Sequence, residues 1–80
     1  MPEEVREKLA EYAHDAWSGW MRYLFEKSDV GDGDAVVIPG WAVRRWRRQM
    51  CTAYEDLPED EKDSDRAEAD KMLAIVERAS

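Results

Sequence analysis

All eight aromatic residues of this 80-residue chain, four Trp, three Tyr and one Phe, fall between Tyr12 and Tyr54. A chain this short can build only one small core, and small cores are close to the limit of independent stability. Each aromatic that is buried removes about 150–250 Å² from water, so a few of them supply what the length denies. Half of the chain therefore holds the anchors. The other half has to dock onto them, and the whole of residues 1–80 reads as a single domain.

Charge narrows the functional classes. Twelve Lys and Arg stand against 19 Asp and Glu, a formal charge of −7 with a pI near 4.6. A general binder of nucleic acid polymer needs a basic surface, so that class is set aside. The wholly apolar runs, such as Ala35 to Pro39, are far short of the roughly 20 residues that span a bilayer. The opening residues show no apolar segment behind a basic start, so no signal peptide is expected. The single cysteine, Cys51, precludes an internal disulfide and suits a reducing compartment. The expectation is a cytoplasmic domain without membrane contact.

Along the chain, Pro2 to Lys27 predicts one long amphipathic helix. Val5, Leu9, Ala13, Ala16, Trp17, Trp20, Leu24 and Phe25 recur at three- and four-residue spacing. Glu3, Glu4 and Glu7 complement the positive end of its dipole. Ser18-Gly19 interrupts the good helix formers and would let another backbone approach Trp17 and Trp20. Ser28 to Asp34 predicts a turn, and Ala35 to Ile38 a short strand or extended edge. Pro39 is placed to open a second helix at its first position, with Trp41 or Ala42, Trp46 and Met50 on one side. Cys51 to Asp56 links to a third helix started by Pro58, with a weaker apolar stripe of Ala67, Met72 or Leu73, Val76 and Ala79. The fold class is thus mainly α: a long N-terminal helix, a short β element and two further helices.

Several residue groups invite a chemical reading. Asp29, Asp32 and Asp34 lie beside Gly31 and Gly33, but an EF-hand loop begun at Asp29 would have glycine at positions 3, 5 and 12. A solvated turn is the better account, and neither a metal nor a cofactor is expected. His14 has only Cys51 as a second soft ligand and no nucleophile motif to serve. It reads first as a helix histidine that ties segments together, and second as a ligand contact. The tryptophans Trp17, Trp20, Trp41 and Trp46 read first as core. Four exceed what so small a domain can enclose, which leaves room for a partly open pocket. Arg44, Arg45, Arg47 and Arg48 form the only basic stretch. They read as a solvated face, as partners of the acidic third helix, or as a phosphate site beside the aromatics.

Three stretches resemble one family. His14-Asp15-x-Trp17, the central Val37-Ile38-Pro39, and Tyr54-x-x-Leu57-Pro58-Glu59-x-Glu61-Lys62-x-x-Asp65-Arg66 resemble the RyR domain. That is the repeat of the cytoplasmic part of ryanodine receptors and of stand-alone bacterial and phage proteins. The resemblance spans about residues 10–75, and the Leu-Pro-Glu-x-Glu-Lys stretch is its more specific half. In the family the first helix runs on to a Gly-Trp element, whereas Gly19-Trp20 comes early here. The Trp- and Arg-rich middle looks closest to small proteins of tailed phages. The resemblance implies a small helical module without catalytic machinery that recognises nucleotide-derived ligands. Because the receptor repeats come in adjacent pairs, it also implies that a lone copy pairs with itself.

Two classes of function follow. The first is a non-enzymatic binder of an adenine- or ADP-ribose-type nucleotide, in a phage setting a sequestering agent for a host immune signal. His14, Trp17, Trp41, Arg44, Arg45, Trp46, Arg48 and Tyr54 would contact the ligand: aromatics for the base, arginines for phosphate, His14 and Tyr54 for polar orientation. The alternative is an acidic protein-interaction module or DNA mimic, motivated by ten carboxylates in residues 55–80. Against it stands the plainer role of those acids in keeping a Trp-rich protein soluble.

Overall fold

The computed structural model describes residues 3–79. The chain is mainly α, with three helices and one two-stranded β element, in the order α1 (Glu3–Lys27), β1 (Asp29–Val30), β2 (Val36–Val37), α2 (Gly40–Met50) and α3 (Glu59–Ala79). A short 3-10 turn, Tyr54–Asp56, precedes α3. None of the helices, among the described residues, is long and apolar enough to cross a membrane. The chain falls into two compact units. One comprises Met1–Trp17 with Pro58–Ser80, the other Ser18–Leu57.

The inward face of α1 is not the one its bulk suggests. Val5 is buried, and Leu9, Tyr12, Ala16, Gly19 and Tyr23 are at least partly covered. Their spacing of four, three, four, three and four keeps one stripe along the helix. Trp17, Trp20 and Phe25, expected on that stripe, are instead 59%, 57% and 58% exposed, and Ala13 is exposed too. Three- and four-residue periodicity admitted both sets, and the tyrosines with the small residues hold the covered one. The expected close approach at Gly19 is also absent: a β-carbon there would meet nothing within 4 Å.

In the second unit, Ser28 closes α1 by donating its hydroxyl to the Leu24 carbonyl at 2.7 Å. β1 and β2 then pair antiparallel, with Asp29 opposite Val37 and Val30 opposite Val36. The predicted turn is therefore shorter than Ser28–Asp34, because its first residues form a strand. The Gly31 amide donates to Ala35 at 2.9 Å, and the Ala35 amide donates back to Asp32 at 2.9 Å. Gly33 takes φ +59 at the first central position, the sign pattern of a II′ turn.

Pro39 caps α2 and does not occupy its first turn. At φ −63 and ψ 151 it is extended, and its carbonyl accepts from Ala42 at 3.0 Å and Val43 at 3.1 Å. Ala42 is fully buried, and Val43, Trp46 and Gln49 share its side of the helix. Trp41 and Met50, weighed for that side from spacing, are exposed. Thr52 closes the helix by donating its hydroxyl to the Arg48 carbonyl.

In the first unit, the Pro58 carbonyl likewise accepts from Glu61 and Lys62 at the start of α3. Met72, Leu73 and Val76 of the expected stripe are exposed, and so are Ala67 and Ala79. The covered positions of α3 include Glu61, Glu68 and Ile75, one heptad apart.

Two glycines give opposite expectations. Gly19→Ala adds a methyl group to open space within a helix and should stabilise the protein by about 1 kcal/mol. Gly33→Ala must hold a left-handed backbone and should cost about 1–2 kcal/mol. Urea unfolding followed by circular dichroism measures both.

Candidate functional site

The second unit carries a continuous aromatic row. On α1, Trp20 and Tyr23 meet edge to face, their ring centroids 5.9 Å apart at 83°. Tyr23 then contacts Trp46 of α2 at 6.1 Å and 54°. Trp46 in turn meets Trp41 at 6.5 Å and 64°. All three separations lie in the range of about 4.5–7 Å where such pairs attract. The Lys27 ammonium lies 5.6 Å from the Tyr23 ring centre, one turn further along α1.

Of the residues predicted for the site, Trp41 and Trp46 are brought together in this row. Trp46 is half-buried and Trp41 is 44% exposed, so the first anchors and the second presents a face. Arg44, Arg45 and Arg48 are exposed on the same helix. The Arg44 guanidinium folds back to within 3.2 Å of where a β-carbon on Gly40 would stand. Tyr54, 49% exposed, belongs to the 3-10 turn of the same unit. His14 and Trp17 fall in the first unit, where their rings pair at 6.2 Å and 30° and both are exposed.

Trp20, Tyr23 and Lys27 were not among the predicted contacts. Their signal was present, because positions three and four apart on a helix are surface neighbours. Residues 20, 23 and 27 form such a row. What the sequence alone could not supply was the partner of that row on α2.

The first unit offers different chemistry. A shallow groove of about 420 Å³ runs along Glu3, Glu4, Glu7, Lys8 and Glu11, four carboxylates and one amine. That charge repels phosphate. On α3, Arg66 donates to Glu59 at 2.9 Å and to Asp63 at 2.8 Å, and Lys62 lies 3.7 Å from Glu59. Lys71 pairs with Glu68 at 3.4 Å. These acids of α3 are therefore partnered by cations of their own helix. Among the described residues, no three His, Cys, Asp or Glu side chains gather as a metal site requires. Cys51 is a free, exposed thiol.

No family model, curated protein or solved structure matches the chain. The resemblance to the RyR domain accordingly rests on the quoted motifs.

One titration follows from α3. The hydrogen bond from Arg66 holds the Glu59 carboxyl below its ordinary value of 4.5, helped by the charges of Arg66 and Lys62. A carboxyl lowered in the folded state stabilises it above the ordinary value, and that contribution disappears as pH falls through the lowered one. Arg66→Gln should move the Glu59 titration back toward 4.5, as read by carboxyl carbon shifts in NMR.

Proposed function

We propose that the chain is a non-enzymatic binding module whose second unit takes a nucleotide-derived small molecule of the adenine or ADP-ribose type. The observation that carries this reading is the row Trp20–Tyr23–Trp46–Trp41, partly exposed indoles in the same unit as the exposed arginines of α2. A purine base stacks on an exposed indole, and such stacking contributes about 1–3 kcal/mol per base. Guanidinium groups pair with phosphate oxygens in a bidentate fashion that ammonium groups do not match. The base is assigned to Trp41 or Trp20 at the ends of the row, and phosphate to Arg45 and Arg48. Tyr54 supplies polar orientation from the neighbouring turn.

The resemblance to the RyR domain supports the same ligand class. The stretch of that resemblance that is richest in motif, Leu57 to Arg66, leads into the start of α3 and contributes no residue to the row.

A second reading, an acidic module that docks on a basic protein, is favoured by the charge distribution. Ser18–Leu57 holds six acidic and six basic residues, so the entire −7 resides in the remainder of the chain. Such docking would weaken steeply with added salt.

Tryptophan fluorescence titrated with adenine, ADP-ribose, cyclic ADP-ribose and cyclic dinucleotides tests the first reading. One ligand of the panel should give a saturable change and a matching rise in melting temperature. Trp41→Ala should weaken it by roughly 10- to 100-fold, the loss of one stacked base. Trp46 is a poor choice for this test, because its removal also takes the contact with Tyr23. A flat response to every ligand would overturn the proposal and favour the acidic reading.

A further inference from the structure

Of the four indoles, Trp41 is the one with arginines a turn away along its own helix. Arg44 and Arg45 stand three and four residues beyond it, the spacing at which helix side chains become surface neighbours. Trp20 has Ala16, Trp17, Tyr23 and Leu24 at those positions instead. With roughly 3.6 residues per turn, Trp41, Arg44, Arg45 and Arg48 fall within about 100° of one another around α2. All four are exposed, while Ala42, Val43, Trp46 and Gln49 hold the covered side. Arg47 is exposed too, but lies outside that arc.

Helix side chains lean toward the N-terminus and cover the turn before their own. Arg44 shows this lean: its guanidinium reaches back to within 3.2 Å of where a β-carbon on Gly40 would stand. By the same lean Arg45 covers the turn that carries Trp41, and Arg48 covers the next turn, about 5 Å further along. The outward side of α2 therefore runs in order. An indole braced at 6.5 Å by Trp46 comes first, then two guanidiniums beside it, then a third. Among the described residues neither Arg44 nor Arg45 is paired with a carboxylate. Like charges one turn apart, such as Arg44 and Arg48, oppose the helix they stand on. The dipole offsets this for Arg48 in the last turn, and an anion is what would offset it for Arg44 and Arg45.

We propose that the ligand of this site carries a nucleoside 5′-diphosphate unit. The base stacks on Trp41, the first phosphate lies between Arg44 and Arg45, and the second lies at Arg48. The inference rests on the nucleotide reading and narrows it. ADP and ADP-ribose contain this unit, with base, ribose and two adjacent phosphates in sequence. AMP lacks the second phosphate, and cyclic dinucleotides hold their two phosphates apart, each between riboses. Forked guanidinium contacts grip one phosphate in pairs, so three guanidiniums spread over two turns exceed what a single phosphate engages.

Isothermal titration of the full 80-residue chain with adenosine, AMP, ADP, ADP-ribose and inorganic pyrophosphate tests it. ADP should bind at least about 10-fold tighter than AMP, the worth of one charged hydrogen-bonded contact, and ADP-ribose should share that advantage. Arg48→Gln should bring ADP down to the level of AMP while leaving AMP unchanged, and Arg45→Gln should weaken both. Arg47→Gln, off the stripe, should leave ADP within about two-fold of the parent. These arginines are exposed, and a melting curve of each variant establishes that it is folded. AMP and ADP bound equally would overturn the diphosphate inference and leave the nucleotide reading in place. Equal losses in Arg47→Gln and Arg48→Gln would also overturn it, since net charge alone would then account for binding. Pyrophosphate bound as tightly as ADP would overturn the base contact on Trp41 and with it the nucleotide reading. Binding of none of the five would overturn both.

Discussion

Tyr23 on Trp46 is the contact that organises the second unit. It joins the end of α1 to the middle of α2 across a connection that is otherwise a hairpin and a proline. Tyr23 lies on the covered stripe of α1, and Trp46 lies one turn beyond Ala42, the fully buried position of α2. Ala42 has no bulk to contribute, so the ring pair supplies the packing area that a helix of 11 residues needs. Lys27 adds its charge over the Tyr23 ring. Trp20 and Trp41 extend the pair outward at either end, and they are the parts left available to a ligand.

Charge is divided unevenly between the two units. The neutral second unit holds the four arginines of α2 and the four exposed or half-exposed rings of its row, and three of its four aspartates, Asp29, Asp32 and Asp34, sit in the hairpin. The acidic excess is carried by the first unit, where Arg66 and Lys62 offset part of it at the start of α3. Stacking and phosphate recognition, if they occur on one surface, need that separation. Carboxylates facing the arginines would compete for the same guanidinium groups.

Much of the fold was legible. The three helices, the break at Ser28 and the extended stretch before Pro39 each had a local chemical signal, and each element lies within two residues of its reading. The covered faces were less so. On α1 the expected stripe holds Val5, Leu9 and Ala16, which are covered, but it takes in Trp17, Trp20 and Phe25 by apolar size where Tyr12, Gly19 and Tyr23 complete the covered side. On α3 the inward heptad passes through Glu61 and Glu68, which no hydrophobic pattern would select. β1 was hidden because Asp29 and Val30 have no strand signal apart from their pairing with Val37 and Val36. At the site, Trp41 and Trp46 could be proposed from their spacing and neighbours. Tyr23 required knowledge of which helix faces which, and that is a tertiary fact.

A double-mutant cycle between Tyr23 and Trp46, read by urea unfolding with Tyr23→Ala, Trp46→Ala and the pair, tests this account most directly. If the ring contact holds α1 to α2, the two losses are coupled by about 0.5–1.5 kcal/mol, the usual worth of an aromatic pair beyond the area it buries. Strict additivity of the two substitutions would contradict it, leaving the row Trp20–Tyr23–Trp46–Trp41 without the contact on which its geometry depends.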